Sequence, residues 1–270
     1  MARIEYDDAA AAAFQASRHL PTAGLGRWRR AVARYLQPRP GMRLLDLGAG
    51  TGMWATAFTD WYGIDVIVVE PSEAMRARAV GTRILAGHAG AIPLAGASVD
   101  GAWLSTVIHH IPDLRAAAAE LRRVLHPGAL VLIRSPFPGG HERIGYFRFF
   151  PEAVQVLDTY PTVDQVRAAF AAAGFAYVAL EPVPQVTADS LAAAASDLRR
   201  DAHTPLKLIT DAQYEAGLAR LRAAARKHPG PVIDTLDLLV LRRDNAPLSG
   251  RQLPAAASDC RSDAQQTLRD

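Results

Sequence analysis

The sequence predicts an α/β fold: a parallel β-sheet covered by helices on both faces. Three observations carry that prediction. Between Met42 and Pro136, short apolar runs alternate with helix-length stretches, the order of a strand–helix repeat. The runs themselves, such as VIVVE from Val66 and ALVLIRS from Ala129, are continuously apolar, as strands are when both sheet faces are covered. Half of the 270 residues are hydrophobic and 21% are charged, which permits a sizeable core.

Taken in order, Tyr6–Leu36 reads as helical, interrupted at Pro21, Gly24 and Gly26. Trp28, Ala31, Val32 and Tyr35 fall at helical spacing, and Pro38, Pro40 and Gly41 stop the helix. Strands are predicted at Met42–Leu47, Asp65–Glu70, Thr82–Ala86, Gly101–Val107 and Ala129–Ser135. The helices between them are Gly52–Trp61, Ser72–Val80 with Ser72 as N-cap, and Leu114–Leu125. Phe137–Pro151 is too rich in Gly and Pro for regular structure, and holds five of the fifteen Phe and Tyr residues. A helix at Val163–Ala173, ended by Gly174, leads to a sixth strand, Phe175–Val183. A helical insertion at Thr187–His228, broken near Thr204–Pro205, precedes a seventh strand, Val232–Arg242. Residues 244–270 lack periodicity and read as a disordered tail.

Composition narrows the function classes. Thirty Lys and Arg against 27 Asp and Glu leave a net charge of +3, slight and unclustered, so bulk charge gives no argument for nucleic-acid binding. One cysteine, Cys260, excludes an intramolecular disulfide and a thiolate metal cage. The histidines show no HExxH or other metal spacing, so no metal is expected. No apolar run reaches the roughly 18–20 residues of a membrane span. Glu5, Tyr6, Asp7 and Asp8 stand where a signal peptide would be apolar. The expectation is a soluble, cytoplasmic protein with no membrane partner.

The most informative segment is LLDLGAGTGMWA, Leu44–Ala55. A strand delivers Asp46, the chain turns through Gly48, Ala49, Gly50, Thr51 and Gly52, and a helix follows. Such a turn lets a ligand approach bare backbone, with amide groups pointing outward at the helix start. A triphosphate P-loop is excluded because no GK[ST] follows, and the spacing departs from the G-x-G-x-x-G dinucleotide fingerprint. Glu70 closes the second strand eighteen residues after Gly52, where a carboxylate can accept both hydroxyls of a ribose.

DLGAGTG followed by VVEPS resembles the class I S-adenosylmethionine (SAM)-dependent methyltransferases. The likeness continues through GHAGAIPLAGASVDGAWLSTVIHHIPD, Gly87–Asp113, in the order and spacing of the family's small-molecule, type 11-like branch. LRRVLHPGALVLIRSPF, Leu121–Phe137, is similar to its fifth strand and the preceding turn. The resemblance covers Gly41–Phe137 and, more loosely, the chain to Arg243. It implies a Rossmann-like, doubly wound seven-stranded sheet of order 3-2-1-4-5-7-6, mostly parallel with the last strand antiparallel. It also implies a helical lid at residues 1–40 over a methyltransferase domain at 41–243, with the insertion at 187–228.

Carried over residue by residue, the resemblance implies a site for SAM, with S-adenosylhomocysteine (SAH) as product. Gly48, Ala49, Gly50 and Gly52 would pack under the methionine part, with Asp46 fixing the loop or reaching the amino group. Glu70 would hold the ribose diol, while Pro71 and Met75 flank the adenine. His88 and Ala89 occupy the family's adenine-contacting position, His88 in place of the usual Asp. Ser105 would meet the methionine moiety. Phe14 and Arg18 resemble the aromatic-x-x-x-Arg pair of a lid helix, Arg18 pairing with the SAM carboxylate.

His109 and His110 follow the fourth strand, on the edge where such sheets bind ligands. Either could act as a general base, since imidazole titrates near neutrality, or serve as packing, His110 more so. His141, Arg143, Tyr146 and Phe147 are candidates for the acceptor-pocket wall, against a simple loop docked on the sheet. Leu191, Leu198, Leu206, Leu208, Tyr214 and Leu218 of the insertion could line that pocket or pack on the core. The expected function is methyl transfer to a small, apolar or aromatic acceptor in secondary metabolism. Alternatives are a SAM-binding protein that transfers nothing, and an NAD-dependent oxidoreductase, disfavoured by the missing fingerprint. A nucleic-acid methyltransferase is disfavoured because STVIHHIPD stands where Asn/Asp-Pro-Pro-Tyr would follow the fourth strand.

Overall fold

The computed structural model describes residues 7–17, 22–79, 84–227 and 229–245. Seven strands form one sheet: β1 (Arg43–Leu47), β2 (Asp65–Glu70), β3 (Ile84–Ala86), β4 (Val99–Ser105), β5 (Leu125–Ser135), β6 (Phe175–Ala188) and β7 (Val232–Arg243). Their order is β3-β2-β1-β4-β5-β7-β6. The first five pair in parallel, and β7 runs antiparallel to both neighbours. This is the α/β sheet that the alternating pattern and the family resemblance predict.

The helices are α1 (Asp8–Ser17), α2 (Thr22–Leu36), α3 (Met53–Tyr62), α4 (Glu73–Ala77), α5 (Leu114–Val124), α6 (Val154–Leu157), α7 (Val163–Ala172), α8 (Leu191–Asp197), α9 (Thr204–Lys207) and α10 (Asp211–Ala225). Alternate strand residues face opposite layers. Leu45 and Leu47 join Leu121, Val124, Val166 and Phe170 on one side of the sheet. Leu44 joins Trp28, Val32, Trp54, Phe58 and Trp103 on the other. At roughly 25 cal/mol per Å² of buried apolar surface, these two layers dominate the favourable side of folding.

Several boundaries differ from the sequence reading. Gly24 and Gly26 do not interrupt a helix but lie within α2; a Cβ on Gly24 would overlap the Val186 carbonyl oxygen, so the glycine lets α2 lie directly on β6. α2 therefore covers the sheet, whereas Phe14 of α1 lines the cavities at the carboxyl ends of the strands. α4 stops at Ala77; Ser72 does cap it, accepting from the Met75 amide at 3.2 Å. β6 continues past Val183 to Ala188 despite Pro182 and Pro184, because it is an edge strand paired on one side by β7. The insertion is broken just before Thr204–Pro205 as expected: α8 ends at Asp197, His203 is extended, and α9 restarts at Thr204, since proline suits a first helical turn.

The aromatic segment after β5 forms three short 3-10 turns, at His141–Arg143, Gly145–Arg148 and Pro151–Ala153. With the insertion it builds a third core from Ile144, Phe147, Phe150, Leu157, Leu206 and Leu221. Leu206 and Leu218 pack there, whereas Leu208 is 49% exposed. This small core overhangs the carboxyl ends of the parallel strands. Of the expected disordered tail, residues 244–270, all beyond Asn245, Cys260 included, lie outside the described residues.

Candidate active site

The ligand face is built at the carboxyl ends of β1, β2 and β4, where parallel sheets open into a crevice. Gly48, Gly50 and Gly52 all have positive φ, of 72°, 61° and 86°, so the turn between β1 and α3 folds tightly back. At Gly48 the requirement is also steric, because a Cβ would overlap Val107 Cγ2. The Gly48 amide donates to the Val69 carbonyl at 2.8 Å, fixing the loop to β2.

Glu70, 6% exposed, ends β2 beside this turn. One carboxylate oxygen accepts from the Gly50 amide and the other from the Ser72 amide, each at 2.9 Å. Burial pushes its carboxyl above the usual range, opposed by these two amides and by the Arg76 charge. Asp46, 1% exposed, lies beneath the loop and not on the cavity wall. Burial first, then the charge of Glu70, raises it to about 8, with the Ala55 amide pulling the other way. Asp46 is therefore mostly protonated at neutral pH.

A cavity of about 750 Å³ lies over these groups, lined by Gly48, Gly50, Glu70, Pro71, Met75, Ser105, His109 and His110, with Phe14 of α1 above. An adjoining cavity of about 510 Å³ lies beneath the third core. Phe14, Gly48, Ser105, Thr106, His109 and Thr204 line both. Each volume suits a small ligand. His109, 7% exposed, stacks flat on Tyr160, with ring centroids 4.0 Å apart and an interplanar angle of 4°; His110 lies 4.1 Å from it and is less buried. His109 is thus the more buried of the two and the one stacked on Tyr160.

Of the sequence candidates, the structure brings Gly48, Ala49, Gly50, Glu70, Pro71, Met75, Ser105, His109, His110 and Tyr146 to the cavity walls. It does not bring His88 and Ala89 there. His88 is exposed and its Nδ1 accepts from the Gly90 amide at 3.2 Å, while Ala89 packs against the main core. Arg143 makes a two-bond ion pair with Asp237 of β7, at 2.9 and 2.8 Å, and Phe147 is buried in the third core. His141 lies outside both walls, 3.8 Å from Glu142. Arg18 lies outside the described residues. Sequence reasoning missed Tyr160, Arg134, Gln185 and Asp234, which line the second cavity. Of these, Arg134 left a signal: a charge inside the apolar run ALVLIRS.

The residues fit a bound nucleoside. Each carboxylate oxygen can take two hydrogen bonds, so Glu70 can accept sugar hydroxyls beyond its two amides, and the buried Met75 offers an apolar face beside it. A family model described as a methyltransferase domain matches residues 18–180. The chain belongs to the class I SAM-dependent methyltransferase family. SAM is the cofactor of that family and of this chain.

A demethylmenaquinone methyltransferase of Renibacterium salmoninarum is 32% identical over 126 residues, which is 45% of this chain and 52% of that one. The chain spans about half the length of the curated relatives it matches. Among solved structures, a methyltransferase from an antibiotic biosynthesis pathway of Anabaena variabilis superposes with a TM-score of 0.64 at 22% identity, over 79% of this chain and 96% of that one. A Haemonchus contortus phosphoethanolamine N-methyltransferase, solved with phosphomonomethylethanolamine and SAH, superposes with a TM-score of 0.57 at 19% identity, over 90% and 58%. These likenesses show the fold. Among the described residues, no cluster of three or more His, Cys, Asp or Glu is arranged to hold a metal, and no helix is long and apolar enough to cross a membrane.

Proposed function

We propose that this methyltransferase transfers the methyl group of SAM to a small acceptor with a largely apolar body, in a reaction of secondary metabolism. The observation that carries this reading is the pair of adjoining cavities with a shared wall at Gly48, Ser105, Thr106 and His109. One has the carboxylate and glycine turn suited to a nucleoside, and the other is walled by Trp54, Ile144, Tyr146, Phe149 and Leu198.

Bound SAM supplies a sulfonium methyl that an acceptor oxygen, nitrogen or carbon attacks in line, the carbon–sulfur electron pair remaining on sulfur. The protein's contribution is alignment and exclusion of water. Glu70 and the glycine turn orient the nucleoside, while the α1 helix and the third core close over the shared wall. His109 faces both cavities with its ring held by Tyr160, which suits it to take the proton of a neutral acceptor.

Incubation with methyl-deuterated SAM and a panel of phenols, quinones and polyketide-type enols tests this by mass spectrometry. The expected result is label in at least one acceptor, with matching SAH. SAH binding with no label in any acceptor would support cofactor binding without transfer.

A further inference from the structure

We propose that Thr106 selects the ligand of the second cavity: its hydroxyl accepts a hydrogen bond from an O–H or N–H head on an otherwise apolar molecule. Naming this ligand as the methyl acceptor rests on the proposed function. The preference for a donor-bearing head is argued from Thr106 itself.

Among the described residues, Gln37, Ala97 and Thr106 are the ones other than glycine with positive φ. Gln37 and Ala97 are exposed and line neither cavity. Thr106, at φ 54°, is the β-branched one, for which the left-handed region is an outlier. The chain has a reason to turn here. The Thr106 amide donates to the Arg134 carbonyl at 2.7 Å, extending the β4–β5 pairing past Ser105. The next donor would come from residue 136, a proline without an N–H, so the pairing ends. Two residues on, the buried Ile108 already opens the 3-10 turn that carries His109 and His110. Glycine would make such a turn without strain, as Gly48, Gly50 and Gly52 do in the neighbouring loop. Strain of this kind is kept where the side chain has a use.

Thr106 is half-buried and lines both cavities. Before it, Ser105 Oγ accepts from Arg134 Nη1 at 3.1 Å. After it, Val107 packs against the main core and over Gly48. Polar neighbours on the second cavity's wall are engaged within the protein. Gln185 Oε1 accepts from Arg134 Nη2 at 2.8 Å and from Trp28 Nε1 at 2.7 Å, and Asp234 accepts from the Gly145 amide at 2.7 Å. The Thr106 hydroxyl makes no hydrogen bond among the described residues. Its oxygen can therefore accept the hydrogen of a ligand O–H or N–H, leaving a lone pair on that atom. Trp54, Ile144, Tyr146 and Phe149 suit the apolar body. A head held on the shared wall is aligned with the nucleoside cavity.

The test compares 2-naphthol with 2-methylnaphthalene, alike in shape but for the O–H, in ligand-observed NMR titrations with and without saturating SAH. Wild type is expected to bind the naphthol about three- to tenfold tighter, the scale of one net hydrogen bond. Thr106→Val keeps the branched side chain and should erase or reverse that preference, while Thr106→Ser keeps the hydroxyl and should retain it. Thr106→Gly should lose the preference with a Tm at or above wild type, since the strain goes with the side chain. A preference that survives in Thr106→Val, a lower Tm in Thr106→Gly, or binding of neither probe would overturn the proposal. Failure of SAH to bind, with the naphthol preference present in wild type and lost in Thr106→Val, would overturn the methyl-transfer reading and leave the role of Thr106 standing.

Discussion

The Glu70 carboxylate accepts the Gly50 amide hydrogen at 2.9 Å across twenty residues of chain. Its other oxygen accepts from Ser72 at the same distance. One side chain thereby ties the end of β2 to the glycine turn after β1 and to the start of α4.

Glu70→Ala should weaken SAH binding by about 1–3 kcal/mol in calorimetry, the scale of lost hydrogen bonds to a charged group. Glu70→Gln should recover little, because its terminal NH2 would face one of the two amide donors that the carboxylate now accepts. Wild-type affinity in both variants would remove Glu70 from the nucleoside site.

Asp46 makes stability depend on pH. Its folded pKa of about 8 lies above the ordinary 3.8, so between those values the folded chain keeps a proton that the unfolded chain has lost. Stability from this group is full below about pH 4, falls as pH rises and levels off above about 8. Asp46→Asn removes that ionisation. Its Tm relative to wild type should rise by several degrees from pH 5.5 to pH 8.5, on the order of a kcal/mol or more. A constant difference at the two pH values would contradict the buried, protonated acid.

Gly48→Ala should cost about 1–3 kcal/mol in denaturant unfolding, from a positive φ and from overlap with Val107. Adding Val107→Ala should restore part of that loss, since it relieves the overlap but not the backbone. No recovery in the double variant would assign the whole cost to φ.

Arg143 and Asp237 join the aromatic segment to β7 through two parallel bonds. The carboxylate is buried, but the arginine side chain is 36% exposed, so solvent discounts the pair. A double-mutant cycle with Arg143→Met and Asp237→Asn should give a coupling of about 1–2 kcal/mol. Coupling near zero would mean that the third core alone holds the segment in place.

The sheet was legible because its signals are local: continuous apolar runs, a glycine turn and Pro38 through Gly41 as a stop. The glycine-turn half of the candidate site was legible for the same reason, since Gly48, Gly50 and Glu70 line the first cavity at strand ends and strand ends follow from the runs. The second cavity was not. Arg143 and Phe147 sit in the expected segment, but whether they face a cavity depends on Asp237 and on the insertion, far away in sequence. His88 follows β3 as expected, yet a local bond to the Gly90 amide turns it away. Tyr160 and Gln185 gained their positions through long-range packing, which no short window of sequence contains.

All four tryptophans of the chain gather on the α2–α3 side of the sheet. Trp54 lies within 6.3 Å, centroid to centroid, of each of Trp28, Trp61 and Trp103. Trp54 also walls the second cavity. The molecule thus carries a built-in optical reporter: ultraviolet emission originates from one coupled cluster, and a compound entering that chamber would perturb the glow of the whole group. The opposite layer, with α5 and α7, would stay dark to the same measurement.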